Sequence, residues 1–194
     1  MTAPKPPANL ASRTPLIIEV PAGALLHRFH NGAFGPVYFD TSDLGRLNAP
    51  DGSYGTTYVA AAVEGAFAES FERNPGLQLL ARDFIASKAY ATLSWPRPLK
   101  LAMLHGRGLS PLGATAAVTH GAPPYAIAQQ WSAALFHHPA NLDGIAYRAS
   151  HDDDELCYAI FERAGPPDIV ETRKDLHQNW FYQLMLDRSL DLTD

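Results

Sequence analysis

Short stretches in which apolar and polar positions alternate with a period of two recur along the chain. TTYVA at 56–60 and ALLHRFH at 24–30 show this pattern, and other stretches are rich in β-branched and aromatic residues between Gly, Pro and Asn. These patterns predict strands over residues 24–30, 36–40, 56–60, 88–95, 99–104, 144–150 and 157–163. The stretch between 45 and 56 is a predicted turn, because its Asn, Pro, Asp and Gly residues favour chain reversal.

Longer segments with helical spacing predict helices over residues 61–73, 125–138 and 172–190. In the first of these, Val63 and Phe67 fall on the same side of the helix. The Asn-Pro-Gly sequence at 74–76 ends it, because proline cannot continue the hydrogen-bond ladder. Strands that alternate with a few helices predict a mixed α/β or α+β fold, with one central mixed or antiparallel sheet.

The length of 194 residues is typical of one domain. Residues 1–15 are rich in Pro, Ala and Ser, and we expect them to form a flexible N-terminal arm. Residues 16–194 are then predicted to form a single domain, in which the Gly-, Pro- and Thr-rich stretch 106–124 is a connector. The sequence contains no internal repeat.

Composition excludes several classes of protein. With 46% hydrophobic and 18% charged residues the chain has the balance of a globular protein, not of a disordered one. The net charge of −5 argues against a nucleic-acid binder that relies on a broad basic surface. The single cysteine rules out an internal disulfide. Because the sequence has no long apolar run and no signal-peptide pattern, we expect a cytoplasmic protein without membrane contact.

The common catalytic and nucleotide-binding motifs are absent. The sequence has no GxGxxG, GxxxxGK[ST], GxSxG or HExxH motif. His27 and His30 would point to opposite faces of a strand, so they do not predict a metal site. The acidic run HDDDE at 151–155 lacks the spacing of a calcium loop and is predicted to be a solvated turn between two strands. Cys157 lies in an apolar strand and is predicted to be a buried core residue, not a nucleophile. We expect neither a metal nor a cofactor.

A few residues remain that a plain mixed domain does not need. Arg28 lies in an apolar strand, and Arg46 begins a turn that does not require an arginine. Tyr58 closes a strand, and Ser150 ends another. The first helix carries three glutamates, and periodicity alone does not choose among them: Glu64, Glu69 and Glu72. Each of these residues taken singly has a structural explanation.

In their order along the chain, these residues resemble the RES domain family, named for its Arg, Glu and Ser signature. HRFH corresponds to the Tyr-Arg pair of the family, GRLN to its Gly-Arg-Trp-Asn turn, and TTYVAAAVEGAFAES to its Tyr-to-Glu strand–helix unit. LDGIAYRASHDDDELCYAIFER resembles the family's dG…Y-x-S…F segment, so that the resemblance covers about residues 24–163. Departures from the pattern are His27 for tyrosine, Leu47 for tryptophan and Arg148 for proline.

The resemblance implies a fold similar to ADP-ribosyltransferases and cleavage of NAD+ at the nicotinamide–ribose bond by water or inorganic phosphate. It implies a toxin of a bacterial toxin–antitoxin pair, with a partner antitoxin that carries a helix-turn-helix-type DNA-binding part. It also selects Glu69, with Arg28 and Ser150, as catalytic. The substrate-binding residues that it implies are Arg46, Asn48, Tyr58 and His27.

The expected chemistry suits these residue types. Cleavage of the N-glycosidic bond passes through an oxocarbenium-like state, which a carboxylate such as that of Glu69 stabilises. Arginine has the planar fork that suits pyrophosphate or phosphate, and an aromatic face such as that of Tyr58 can hold the nicotinamide ring. Ser150 can orient Glu69 or a ribose hydroxyl, and Asn48 can tie the turn or reach a substrate amide. ADP-ribosyl transfer to a macromolecule, a non-catalytic nucleotide-binding module and a chance match of an unrelated domain stay open as alternatives.

Overall fold

A computed structural model describes residues 3–72, 76 and 78–193 of the chain. Its strands are β1 (Ile17–Val20), β2 (Leu26–Asn31), β3 (Thr56–Ala60), β4 (Leu79–Ala81), β5 (Lys88–Ser94), β6 (Leu99–Met103), β7 (Gly144–Ala149), β8 (Asp152–Phe161), β9 (Asp168–Arg173) and β10 (Asp191–Thr193). Its α-helices are α1 (Val63–Phe71), α2 (Arg82–Ala86), α3 (Leu109–Leu112), α4 (Ala117–His120), α5 (Ala126–Phe136) and α6 (Asn179–Asp187). Short 3₁₀ turns occur at Leu10–Ser12, Gly106–Gly108 and Glu162–Ala164.

The centre of the fold is an eight-stranded sheet with the strand order β1-β6-β7-β8-β3-β2-β5-β9. The pair β6–β7 is parallel and the other neighbours are antiparallel, which confirms the predicted mixed sheet. A separate small sheet pairs β10 with β4 in parallel. Gly144 at the start of β7 is needed because a Cβ there would lie 2.3 Å from the carbonyl oxygen of Ala159 on β8.

Two apolar layers cover the faces of the large sheet. The larger layer contains the buried sides of α1, α5 and α6, together with the strand residues that point toward them. Phe67 of α1 and Trp131 of α5 are fully buried there. The smaller layer lies on the opposite face around Trp95, Leu93 and Leu101. The helices therefore gather on one face of the sheet, and the alternation of side chains along each strand decides which residues meet them.

The predicted strand at 36–40 is wrong. Among these residues only Asp40 pairs with a strand, through an isolated bridge to Thr56. The carbonyl oxygens of Pro36 and Tyr38 instead accept hydrogen bonds from the guanidinium of Arg28. A side chain of the preceding strand β2 thus satisfies backbone groups that the sequence pattern assigns to a sheet.

The C-terminal part differs from the prediction in its boundaries. The helix predicted over 172–190 extends only over Asn179–Asp187, because residues up to Arg173 belong to β9, which pairs with β5 at the sheet edge. The acidic run 151–155 is not a turn throughout, since β8 already begins at Asp152. The connector 106–124 contains α3 and α4. Of the predicted stop at 74–76, Asn74 and Pro75 lie outside the described residues.

The N-terminal segment makes specific contacts from residue 3 onward. The indole Nε1 of Trp131 on α5 donates a hydrogen bond of 2.7 Å to the carbonyl oxygen of Pro4. Nε2 of His138 lies 3.2 Å from the carbonyl oxygen of Leu10, which is itself buried. The segment lies against α5 and the residues that follow it, and its flexibility stays a prediction.

Candidate active site

A cavity of about 280 Å³ opens on the helix-covered face of the sheet, where α1 and the turn after residue 44 approach β2, β3, β7 and β8. Small side chains, among them those of Ala60 and Ala66, contribute to its wall. Six of the seven predicted site residues line it: His27, Arg28, Arg46, Tyr58, Glu69 and Ser150. Asn48, the seventh, is fully buried and does not border the cavity.

Glu69 enters the cavity from the last turns of α1, with both carboxylate oxygens held by donors. Oε1 accepts a hydrogen bond of 2.9 Å from the backbone N–H of Ser150, directly after β7. Oε2 accepts a longer one of 3.4 Å from the hydroxyl of Tyr147 on β7. Burial raises the pKa of Tyr147 well above its usual value, so this phenol is a donor at neutral pH. The two contacts fix the orientation of the carboxylate.

The three glutamates of α1 occupy different environments. Glu69 borders the cavity, whereas Glu72 forms an ion pair of 2.7 Å with Arg188. Glu64 is exposed. Tertiary structure therefore distinguishes the three glutamates, which helical periodicity could not do. Glu69 is the one that borders the cavity, and its catalytic role stays a prediction.

Arg46 supplies a positive charge at the cavity wall. Its guanidinium carbon lies 5.3 Å from the ring centroid of Tyr125, which also lines the cavity. Its Nε is buried and has no hydrogen-bond partner among the described residues. A buried donor without a protein acceptor costs about 1–3 kcal/mol, so this arrangement favours an external acceptor such as a phosphate oxygen.

Helix α5 holds the chain segment that carries Arg46. Nε2 of Gln129 donates to the carbonyl oxygens of Asp43 (2.7 Å) and Gly45 (3.1 Å). One turn further along α5, Oγ of Ser132 donates 2.6 Å to the carbonyl oxygen of Leu47. The side chain of Leu47 is fully buried in the larger apolar layer. Leucine at the position of the family's tryptophan thus anchors the turn in the core.

Asn48 is the centre of a buried network beneath this turn. Its Nδ2 donates to Oδ2 of Asp40 and to the carbonyl oxygen of Ser42, each at 2.9 Å, and its Oδ1 accepts 2.8 Å from the Tyr58 hydroxyl. The Tyr58 hydroxyl also accepts 2.8 Å from the backbone N–H of Leu47. A Cβ at Gly45 would lie only 2.2 Å from Oδ1 of Asn48. All polar atoms of the Asn48 amide group therefore serve the turn.

Tyr58 contributes its ring to the cavity and its hydroxyl to the turn. Burial raises the pKa of this hydroxyl above its usual value, which keeps it protonated. The aromatic face is thus held in a fixed position by a hydrogen bond on its polar end. That arrangement suits the stacking role that the resemblance implies, which stays a prediction.

Arg28 borders the cavity, but its guanidinium is engaged elsewhere. Successive side chains on β2 alternate between faces, so Arg28 leaves the strand on the side opposite to His27. Its Nη1 donates to Oγ1 of Thr57 and to the carbonyl oxygens of Pro36 (3.2 Å) and Tyr38 (3.3 Å). Burial lowers the pKa of Arg28 to about 10, which leaves it charged at neutral pH. These contacts stabilise the 36–40 segment, and a catalytic role of Arg28 stays a prediction.

Ser150 contributes to the site through its backbone. Its Oγ is buried without a hydrogen-bond partner among the described residues, while its N–H holds Glu69. The serine stands three positions after Tyr147, one more than in the Y-x-S pattern, and Ala149 occupies the position two after the tyrosine. The pairing register of β7 with β8 shifts between Arg148 and Ala149. This irregularity lies directly before Ser150, whose N–H meets the carboxylate.

Sequence reasoning did not single out Tyr125 and Tyr147 as site residues. Tyr147 lies within the quoted family segment, and an inward position on a predicted strand is the signal that could have identified it. Tyr125 stands directly before α5 and carries no such signal. Burial raises the pKa of the Cys157 thiol, so this cavity residue is a neutral thiol and not a nucleophile.

Nothing in the described part of the chain forms a cluster of three or more His, Cys, Asp or Glu side chains that could hold a metal ion. No helix among those residues is long and apolar enough to cross a membrane. The cavity instead combines the carboxylate of Glu69, the guanidinium of Arg46, whose Nε lacks a hydrogen-bond partner among the described residues, and three tyrosine rings. This set of groups suits an anionic ligand that also carries a sugar and a planar ring.

Comparison with known proteins places the chain in a family. A sequence model of the RES domain matches residues 22–184. No curated protein matches the sequence significantly. Among solved structures, a chain in the crystal structure of the M. tuberculosis MbcT–MbcA toxin–antitoxin complex has the same fold, with a TM-score of 0.69 and 12% identity over 93% of this chain and 98% of that chain. Because the family match spans most of the chain and all seven predicted site residues, this protein belongs to the RES domain family.

Proposed function

We propose that the protein cleaves NAD+ at the nicotinamide–ribose bond, with water or inorganic phosphate as the acceptor. The observation that carries the proposal is the clamped carboxylate of Glu69, which shares one cavity with the unpartnered Nε of Arg46. Membership of the RES domain family supports the same substrate. NAD+ is the substrate, and the reaction needs no further cofactor.

The carboxylate has an electrostatic role in this reaction. As the bond between C1′ of the ribose and the nicotinamide nitrogen breaks, positive charge grows on the ribose ring. The bonding electron pair leaves with nicotinamide, whose ring nitrogen becomes neutral, so the leaving group needs no proton. Glu69 stabilises the growing charge, and its two hydrogen bonds keep it oriented before the substrate arrives.

Arg46 is assigned to the pyrophosphate, or to an attacking phosphate. Its buried Nε has no hydrogen-bond partner among the described residues, and an anionic oxygen of the substrate would supply one. Tyr58 and Tyr125 both line the cavity, and the guanidinium of Arg46 lies over the Tyr125 ring. The nicotinamide or adenine ring of the substrate can stack there.

The test uses purified protein, NAD+ and product analysis by chromatography and mass spectrometry. We expect release of nicotinamide, and a loss of about 10²–10³ in kcat for Glu69→Gln, the range typical of one preorganised electrostatic group. Glu64→Gln, on the exposed side of the same helix, is the matched control and should retain activity. Full activity in Glu69→Gln would refute the assignment.

The second product separates the possible acceptors. ADP-ribose indicates water, ADP-ribose 1″-phosphate formed only when phosphate is present indicates phosphorolysis, and ADP-ribose attached to a macromolecule indicates a transferase. NAD+ that binds without any nicotinamide release would indicate a non-catalytic module. Cleavage of the N-glycosidic bond is the same in the first three cases, because they differ only in what attacks C1′.

We also propose that the protein is the toxin of a toxin–antitoxin pair. The similar chain in the solved structure is part of a toxin–antitoxin complex, and the folds agree over nearly the whole of both chains. The helix-turn-helix part of the antitoxin is implied by the family resemblance. Induced expression in a bacterial host should lower cellular NAD+ and stop growth, and Glu69→Gln should do neither. Growth arrest that persists in Glu69→Gln would contradict the link to NAD+.

A further inference from the structure

His27 lies at one end of a row of paired residues that crosses the floor of the cavity. His27 on β2 pairs with Ala60 on β3, Ala60 pairs with Cys157 on β8, and Cys157 pairs with Tyr147 on β7. Neighbouring strands lie about 4.8 Å apart, so the Cα atoms of His27 and Tyr147 are about 14 Å apart. The two middle side chains are small. His27 therefore borders the floor on the side opposite to Tyr147, which holds Glu69.

Two hydroxyl groups of the neighbouring strand β5 hold the imidazole ring of His27 in position. The hydroxyl of Tyr90 lies 2.6 Å from Nδ1 of His27 and 3.0 Å from Oγ1 of Thr92. A phenol is a stronger hydrogen-bond donor than a neutral imidazole, and an imidazole nitrogen is the stronger acceptor. The Tyr90 hydroxyl therefore donates to Nδ1, and the remaining proton of the ring is on Nε2. No residue in the described part of the chain bonds Nε2, and it is not among the buried atoms that lack a partner. It is accessible.

Burial favours the neutral form of the His27 ring. Burial lowers the pKa of His27, although the carboxylates of Glu64 on α1 and Glu171 on β9 act in the opposite direction. Arg173, which forms an ion pair of 2.7 Å with Glu171, lies over the Tyr90 ring. A neutral imidazole matters here because the nicotinamide ring of NAD+ is itself cationic, and an imidazolium would repel it.

We propose that His27 is a specificity-determining residue, whose Nε2–H donates a hydrogen bond to the carboxamide oxygen of the nicotinamide ring. Tyr90 and Thr92 are positioning residues that set its tautomer. The inference rests on the proposed function, since it assigns the orientation of NAD+ in the same cavity. With the ribose C1′ beside Glu69, the ring extends along the floor toward His27. The carboxamide oxygen is an uncharged acceptor and suits a neutral donor, whereas the pyrophosphate suits Arg46.

The first experiment needs no activity. In long-range ¹H–¹⁵N correlation spectra, Nδ1 of His27 should give a pyridine-type signal and Nε2 a pyrrole-type signal. Tyr90→Phe should mix the two tautomers. The matched control is Tyr182→Phe, because Tyr182 and His177 form the same hydroxyl–Nδ1 contact, at 2.9 Å, outside the cavity. A protonated Nδ1 in the wild-type protein, or a tautomer that Tyr90→Phe does not change, would overturn the proposal.

The second experiment compares NAD+ with its thionicotinamide analogue, whose sulfur is a poor acceptor. The wild-type protein should prefer NAD+ by about 10-fold in KM, as expected for one hydrogen bond of about 1.4 kcal/mol. His27→Phe should remove this preference, and His27→Gln, which keeps an N–H donor, should restore part of it. Tyr90→Phe and Thr92→Val should weaken it, mainly through KM and with kcat little changed. If His27→Phe raised KM by the same factor for both dinucleotides, the proposal would be overturned.

The two proposals fail in different ways. If the wild-type protein releases no nicotinamide, the proposed function fails, and the preference between the two dinucleotides is then read from binding affinities. If the wild-type protein cleaves both dinucleotides equally well, the proposed function stands and the assignment of His27 fails. Unfolding midpoints of each variant show whether a loss reflects folding.

Discussion

Replacing Asn48 by alanine tests whether this residue serves the substrate or the turn. The structure places its amide in contact with Asp40, Ser42 and Tyr58, and not at the cavity. A net contribution of about 1 kcal/mol applies to each of the two neutral hydrogen bonds, and about 2 kcal/mol to the one that ends on the Asp40 carboxylate. We therefore expect the free energy of unfolding to fall by about 4 kcal/mol, a large part of the 5–15 kcal/mol typical of a folded protein.

Urea unfolding measures this loss. With a slope of about 2 kcal/mol/M, the midpoint should move down by about 2 M. Asn31→Ala is the matched control, because Asn31 is exposed and its Oδ1 accepts a single hydrogen bond from the backbone of Ala33. Asn31→Ala should lower the free energy of unfolding by no more than about 1 kcal/mol. A loss below 1 kcal/mol for Asn48→Ala, together with a higher KM for NAD+, would refute the structural role and favour the substrate contact implied by the family pattern.

Two further predictions concern pH and the anchoring of Arg46. Burial lowers the pKa of three histidines: His27, His30 and His105. The unfolded chain therefore binds more protons below about pH 6.5 than the folded protein does, so the urea midpoint should be lower at pH 5.5 than at pH 7.5. Glu155 acts in the opposite direction, because burial raises its pKa. An unchanged or higher midpoint at pH 5.5 would contradict the prediction. Gln129→Ala frees two carbonyls of the segment that carries Arg46, so KM for NAD+ should rise about 3- to 10-fold, as for the loss of one or two hydrogen bonds. Exposed Gln130→Ala is its control, and equal KM values for the two variants would contradict the anchoring role.

Local sequence patterns were sufficient to predict the strands and helices whose own apolar periodicity shows which side is buried. The strands around TTYVA and GIAYRA, and the helix that follows TTYVA, were predicted because apolar positions repeat with the period of the structure that buries them. The short strands at the margins, such as β1 and β10, were not predicted. They contain only four and three residues, so pairing with a distant strand decides their state.

The residues of the candidate site could likewise be predicted from the sequence only in part. The family pattern along the sequence selects Glu69, and the structure places Glu69 at the cavity. The pattern could not distinguish residues that face the cavity from those that support it, such as Asn48. Nor could it show that the carbonyls of residues 36 and 38 are satisfied by Arg28 instead of by a neighbouring strand.

The sequence by itself determined the mixed sheet, the helix that carries Glu69 and the family of the protein, because these depend on periodicity and on residues close together in the chain. Tertiary structure alone decided which polar atoms are left for a ligand. Gln129 reaches Gly45 across 84 residues, and Ser150 reaches Glu69 across 81. A buried polar group takes whichever partner the fold brings near, and that partner is invisible in the local sequence.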